Sequence, residues 1–217
     1  MAEQSAEPKT VLVLRTCNGD ATSYNGFVWP KEGPVKCADW DPEPRCGGGL
    51  HGLLWGVGDG ALLSWEDSAL WLVVRVALAD VVSIGDDKVK FSSGIVEHCG
   101  SQESATQYIF ENGAAGKAVV GLSVTSGYKG QSTSGHKGQS TSGDYGQSTS
   151  GDKGQSTSGH KGQSTSGDKG ILVLSWWDGT HVRRRTEIAY VGENGIKANV
   201  PYRLNDAHEF EEVDSDD

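Results

Sequence analysis

The stretch "GQSTSGHKGQSTSGDYGQSTSGDKGQSTSGHKGQSTSGDKG" occupies residues 130–170 and decides the fold. One eight-residue phrase, GQSTS followed by a variable three-residue joint, occurs five times. Glycines at this frequency disfavour a helix, because each one costs roughly 1 kcal/mol there. The period instead predicts a β-solenoid in which GxxG forms a turn and QSTS forms a short strand. Two such units make one coil of 16 residues.

The residues that follow the array predict which side chains point inward. In "GILVL" (170–174), Leu172 and Leu174 take the second and fourth strand positions, which are serine in the repeat. Since side chains alternate along a strand, these positions are predicted to face the interior as a serine ladder. The outward positions form columns that we predict to be an interaction surface. They are Gln131, Thr133, Gln147, Thr149, Gln163 and Thr165 on one face, and Gln139, Thr141, Gln155 and Thr157 on the other.

The chain is predicted to contain five segments. Residues 1–9 are a disordered N-terminus, 10–112 a head domain, and 113–174 the solenoid of eight strands in about four coils. Residues 175–204 are predicted to be a β-meander that caps the solenoid, because every such stack needs its open end covered. Residues 205–217 are predicted to be an acidic disordered tail, whose seven acids account for most of the net charge of −10.

The head domain is predicted to be mixed α/β. "TVLVLRTC" (10–17) and "WLVVRVAL" (71–78) indicate buried strands, and "KVKFSSGIVEHC" (88–99) indicates one or two more. "SWEDSAL" (64–70) and "SQESATQYIFENG" (101–113) carry serine N-caps and early acids, which predict helices. Interleaved helices and strands are typical of an α/β or α+β domain.

Location and ligands follow from what the sequence lacks. "MAEQSAEPKT" has no secretion signal, and the four cysteines then favour reduced thiols in the cytoplasm. Cys37, Cys46 and His51, or His98 with Cys99, are not spaced as CxxC pairs, so no metal is predicted. No segment reaches the ~18 apolar residues of a membrane helix. The repeat carries five lysines against three aspartates, too weak a charge to predict nucleic-acid binding.

Residues 10–204 resemble a family of phage and bacterial proteins in which a domain of unknown function precedes glycine- and serine-rich octapeptide repeats. "NGFVWPKEGPV", "CGGGLHGLLW", the GxxGQSTS array and "GILVLSWWDG" carry this resemblance. The array also resembles the water-ordering coils of bacterial ice nucleation proteins, in which hydroxyl columns are paired. Here each face has one threonine column beside a glutamine column.

The segment "GGGLHGLLWG", with the strand "WLVVRVALADVVSI" that follows it, is similar to the core of ADP-ribosyltransferases. That resemblance implies an NAD cofactor bordered by Gly47, Gly49 and His51, with Arg15 facing it and Glu97 as the catalytic acid. The alternative is a loop whose glycines allow a tight crossing, with His51 a structural, hydrogen-bonded histidine.

The sequence favours a non-enzymatic binding or assembly protein of a phage or mobile element, with no cofactor. The solenoid would be a rigid spacer that binds a protein partner or a second copy of itself, without a membrane. One alternative is the NAD-binding, ADP-ribosyltransferase-like domain, active or degenerate, fused to a solenoid. The other is an ice-binding surface.

Overall fold

The chain is dominated by strands and divides into two compact units between Ala115 and Gly116. The computed structural model describes residues 9–85 and 88–213. Within these ranges there is one α-helix. The prediction of disorder at residues 1–9 falls almost entirely on residues outside the described ranges.

The first unit is built on a seven-stranded sheet in which all neighbouring strands are antiparallel. The strand order is β2-β7-β4-β1-β3-β6-β5. The strands are β1 (Thr10–Cys17), β2 (Gly33–Lys36), β3 (Leu50–Leu54), β4 (Leu70–Ala77), β5 (Val82–Ile84), β6 (Lys88–Phe91) and β7 (Ser93–Gly100).

The two most apolar strands lie side by side at the centre of this sheet. β1 pairs with β4 along its whole length, and Leu12, Leu14, Leu72 and Val74 are fully buried. Strands that are apolar on both faces need cover on both faces, which places them away from the edges. The predictions of buried strands at 10–17 and 71–78, and of strands within 88–99, are confirmed.

One of the two predicted helices forms. Helix α1 (Gln102–Ile109) begins after Ser101, whose hydroxyl accepts a hydrogen bond from the backbone N–H of Ser104 at 3.2 Å. The helix predicted at 64–70 is wrong: the backbone N–H of Ser64 donates to Thr16 of β1 at 2.8 Å, so the segment is held to the sheet. The mixed α/β head is therefore corrected to an antiparallel sheet with one α-helix, and the fold gives no support to an ADP-ribosyltransferase-like domain.

The second unit is a β-solenoid, as the repeat predicts. Its strands are β8 (Ser123–Thr125), β9 (Gln131–Thr133), β10 (Gln139–Thr141), β11 (Gln147–Ser150), β12 (Gln155–Ser158), β13 (Gln163–Ser166) and β14 (Ile171–Asp178). Even-numbered and odd-numbered strands form two parallel stacks. Gln147 pairs with Gln131 on one side and Gln163 on the other, which confirms the 16-residue coil.

The solenoid has about three turns rather than the predicted four. The missing strand was expected at 113–120, where the described chain has none. There the chain leaves α1 through a π-helical turn, Phe110–Ala114, and Gly113 and Gly116 take positive φ angles of +129° and +76°. A backbone in these conformations does not continue a ladder, so strand pairing starts at β8.

The cap extends both stacks. β14 pairs antiparallel with β15 (Arg183–Tyr190), while β13 pairs with β16 (Tyr202–Leu204), which pairs with β17 (Phe210–Glu212). The disordered tail predicted at 205–217 is corrected for residues 210–212, because Glu211 and Glu212 form ion pairs with Arg203 and Lys197 at 2.8 and 2.7 Å. Its last four residues, 214–217, lie outside the described ranges.

Candidate functional site

The interior of the solenoid is a hydrogen-bonded serine ladder. The ten inward serines of the five QSTS units, from Ser132 to Ser166, are at most 4% exposed. Bonds run along the stack, as between the hydroxyls of Ser150 and Ser166 at 2.8 Å, and across it, as between Ser148 and Ser158 at 2.8 Å. Since buried hydroxyls are costly without partners, this network lets a thin interior persist without an apolar core. The prediction of inward serines is confirmed.

The turns between strands each hold a non-glycine residue in the left-handed conformation, which the sequence analysis did not predict. Lys129, Lys137, Lys153, Lys161 and Lys169, with Tyr145, all have φ between +52° and +60°. Each stands at the third position of its GxxG turn. A side chain other than glycine disfavours this left-handed conformation. The signal was present in the sequence, because one position of an otherwise uniform turn carries a long side chain in every repeat.

The first face, defined here as the outward side of β9, β11 and β13, carries two complete columns. Gln131, Gln147 and Gln163 are in register, and Thr133, Thr149 and Thr165 stand in register beside them. The amide of Gln131 donates to that of Gln147 at 3.3 Å. The three threonine hydroxyls have no hydrogen bond to the rest of the described chain. This face therefore presents a row of hydroxyls and methyls to solvent at the strand repeat, about 4.8 Å.

The second face, defined as the outward side of β8, β10, β12 and β14, is less regular. Its threonine column consists of Thr125, Thr141 and Thr157, and its glutamine column of Gln139 and Gln155. Ser123 replaces glutamine at one end, and Ile171 and Val173 replace both residue types at the other. The amide of Gln155 donates to the hydroxyl of Thr157 at 3.2 Å. One of its threonine hydroxyls is therefore occupied within the chain.

The first unit brings together four of the five residues expected at an NAD site. Arg15, Gly47, Gly49 and His51 line one cleft of about 870 Å³, together with Asp39 and Lys88. Gly47 and Gly49 have φ of +146° and +114°, so the glycine-rich turn is required by the backbone itself. The alternative prediction was a tight glycine loop with a hydrogen-bonded structural histidine at position 51. The tight loop is present, but the buried Nε2 atom of His51 has no hydrogen-bond partner.

Glu97, the expected catalytic acid, does not line this cleft. Its carboxylate accepts two bonds from the guanidinium of Arg75, one of them at 2.8 Å, and one from the hydroxyl of Tyr108 at 3.1 Å. Both partners therefore keep the carboxylate engaged in hydrogen bonds within the chain. Glu97 is thus part of a structural network that joins β4, β7 and α1.

Membrane helices and metal clusters are absent from residues 9–85 and 88–213. In these ranges no helix is long and apolar enough to cross a membrane. Nor do three or more histidine, cysteine or acidic side chains come together there as ligands.

The two parallel stacks of short strands place the second unit in the class of repetitive β-solenoids. Comparison of the sequence with known proteins finds relatives of the chain. The chain is 42% identical over 103 residues to an ice nucleation protein of Pseudomonas fluorescens, 47% of this chain and 8% of that relative. An ice nucleation protein of Pseudomonas syringae is 41% identical over 99 residues, 45% of this chain and 9% of that relative. One from Xanthomonas campestris pv. translucens is 38% identical over 103 residues, 47% of this chain and 7% of that relative.

These relatives support an ice-nucleation-like repeat. The chain spans less than a tenth of the length of each of the three. No family model matches the chain, and no solved structure matches it. The expected family of phage and bacterial proteins with an N-terminal domain is not shown by these comparisons and stays a prediction.

The prediction of a cytoplasmic location is wrong, and the similarity to ice nucleation proteins overturns it. It depended on the lack of a secretion signal in "MAEQSAEPKT" and on four cysteines, which are free in the structure. All four cysteines lie in the first unit, and free thiols do not by themselves fix a compartment.

Proposed function

We propose that the solenoid binds ice through the first face. The observation that carries this is the in-register column of Thr133, Thr149 and Thr165, whose hydroxyls are unbonded within the described chain. The relatives of the repeat, ice nucleation proteins by name, support the same assignment.

The first face meets two physical requirements for ordering water. Parallel strands in register repeat each side chain at about 4.8 Å, so neighbouring hydroxyls hold waters in a regular row. Threonine is stiff about χ1, so its hydroxyl and methyl stay in place without an entropic cost on contact with ice. The serine ladder beneath the face holds the strands in position.

The length of the array sets the expected strength. Three threonines form the column on this face, and an ordered patch of water this small cannot grow into ice except at deep supercooling. Each of these relatives is more than ten times as long as the segment of it that matches this chain. Binding to existing ice is therefore the expected main activity, with weak nucleation.

The experiment compares matched variants of the two faces. Thr149→Lys places a bulky charge at the centre of the first face, and Thr141→Lys places the same charge at the corresponding position of the second face. Fluorescently labelled full-length protein is partitioned into slowly growing ice. We expect Thr149→Lys to remove most of the captured protein and Thr141→Lys to leave capture near wild type. Equal capture by all three proteins, or none by wild type, contradicts the proposal. Circular dichroism checks that each variant is folded.

A second candidate function, the binding of a protein partner or of a second copy, is favoured by the cap. The glutamine and threonine columns of the second face end on β14 in the apolar residues Ile171 and Val173. On the neighbouring strand β15, Tyr190 pairs with Ile171 and Ile188 pairs with Val173. Ile188, Tyr190 and the nearby Trp177 are 57%, 51% and 51% exposed. Exposed apolar groups of this size commonly mark association surfaces.

Sedimentation equilibrium of wild type and Ile188→Glu tests the second candidate. Concentration-dependent mass in wild type that disappears in Ile188→Glu supports a self-association surface. A monomer at all concentrations contradicts self-association through this patch. That result leaves the ice-binding proposal untouched, because the ice assay tests a different surface, the first face, through Thr149→Lys.

A further inference from the structure

Arg15 carries a charge that has no counterion in the described part of the chain. Its guanidinium lies over the ring of Trp29, 3.9 Å from the ring centroid. Its hydrogen bonds go to the backbone oxygen of Thr16, from Nε and from Nη2 at 3.0 Å, and to that of His51, from Nη1 at 3.3 Å. Burial lowers the pKa of Arg15 to about 10, because the charged form has lost hydration that no carboxylate replaces.

Two N–H groups of Arg15 remain for a ligand. A guanidinium has five donors, of which three are used here. One unused N–H is left on each terminal nitrogen, and each can donate to an oxygen of a carboxylate or phosphate group.

The surroundings add positive charge. Lys88 lines the same cleft, and the charges of Lys88, Lys90 and Arg15 add to burial in lowering the pKa of His51. The carboxylate among the described lining residues, Asp39, accepts the backbone N–H of Gly49 at 3.2 Å and forms no ion pair with Arg15. A ligand with a negative group therefore meets the unused N–H groups of Arg15 and the positive charge of Lys88.

The size of the cleft sets the class of ligand. Its volume of about 870 Å³ is far larger than an inorganic ion needs and falls within the usual range of small-molecule sites, about 300–1,000 Å³. Aromatic side chains, Tyr24, Phe27 and Trp29, line it beside Arg15. Tyr24 is 89% exposed and so has a ring face free for a planar group.

We propose that this cleft binds an organic anion, a small molecule whose carboxylate or phosphate group is held by Arg15 and whose remainder lies between the glycine-rich turn and the aromatic side chains. The site lies wholly within the first unit and is independent of the ice-binding proposal. It makes no use of Glu97 and requires no reaction.

The test is calorimetric titration of the full-length protein with three probes: inorganic phosphate, succinate and NAD. Phosphate and succinate distinguish the two kinds of anion, and NAD joins phosphates to planar rings. We expect a saturable heat for at least one probe. We expect Arg15→Gln to weaken that binding by about tenfold or more, the loss of one charge-assisted, two-pronged contact. Arg183→Gln, the same change at an exposed position of the solenoid cap, should bind as wild type.

Two results overturn the proposal: no saturable heat with any probe at millimolar concentration, or unchanged affinity in Arg15→Gln. If Arg15→Gln does not fold, Arg15→Lys decides, because it keeps the charge and loses the paired donors. A loss of several-fold supports the site, and unchanged affinity refutes it. Ligand-dependent thermal unfolding gives a second readout, since a ligand of the folded state raises the melting temperature with its concentration.

Discussion

The hydroxyls of Ser148 and Ser164 lie 3.0 Å apart on consecutive coils, and both side chains are buried. Ser148 also contacts the hydroxyl of Ser158 across the interior at 2.8 Å. One small side chain thus joins both stacks of the solenoid. Hydrogen bonds in such a connected network support one another, so their number rather than apolar area stabilises the coils.

Removing one member of the ladder should destabilise the solenoid, and enlarging it should destabilise it more. Ser148→Ala deletes the bonds to Ser158 and Ser164, with an expected cost of about 1 kcal/mol. Ser148→Val adds bulk where the opposite strand is already in contact, at a cost of about 1–3 kcal/mol. Urea denaturation followed by circular dichroism measures both. Thr149→Ser, an outward neighbour, is the control and should stay near wild type; equal stability of Ser148→Val and wild type would contradict the tight interior.

Adjacent turn residues should respond in opposite directions. Lys153 has φ of +55°, so Lys153→Gly relieves a conformation that costs an ordinary residue about 1 kcal/mol, partly offset by the entropy of glycine. At Gly154 a Cβ would lie 2.7 Å from that of Ser150 and 2.9 Å from the carbonyl oxygen of Gly138. Gly154→Ala should therefore lower the melting temperature, while Lys153→Gly leaves it unchanged or raises it. A loss of stability in both would show that lysine is needed at the turn.

The repeat could be predicted closely because one short phrase fixes it. Period, alternation and the leucines at 172 and 174 together determine coil length and the inward direction of serine. The entry into the array could not be read in the same way. Residues 113–120 have suitable composition, yet the positive φ angles at Gly113 and Gly116 are set by the chain leaving α1.

The head was harder, because its pattern is not repeated. Ser64 has the sequence context of an N-cap, but a contact with Thr16, 48 positions away, decides its conformation. In the candidate cleft, Arg15, Gly47, Gly49 and His51, which the resemblance to ADP-ribosyltransferases grouped, line one cavity, and their role there stays a prediction. Glu97 was misplaced, because a resemblance to a family does not show that Arg75 and Tyr108 take up its carboxylate.

Acid should weaken the solenoid cap through Asp178. The guanidinium of Arg185, followed by His181, lowers the pKa of this carboxyl far below its usual range. A folded-state pKa below the unfolded one adds stability that is fully present above the unfolded value, about 3.9. That stability is lost progressively as pH falls from there toward the folded-state pKa. Wild type should therefore lose more stability than Asp178→Asn between pH 6 and pH 3, about the range where carboxylates are protonated. Thermal unfolding of both proteins at each pH measures the loss. Equal losses in the two proteins would contradict this role of Asp178.

Substituting Glu97 should separate stability from ligand binding in the first unit. Glu97→Gln weakens the paired contact with Arg75, which lies on the neighbouring strand β4, and alters the bond from Tyr108 of α1. Since both charged side chains are partly exposed, 33% and 20%, the expected loss is about 1 kcal/mol. The affinity for the organic-anion probes should stay at the wild-type value, because Glu97 does not line the cleft. Urea denaturation and calorimetry on the same preparation measure both quantities. Loss of probe binding with unchanged stability would return Glu97 to a ligand site and contradict the structural role derived from its contacts.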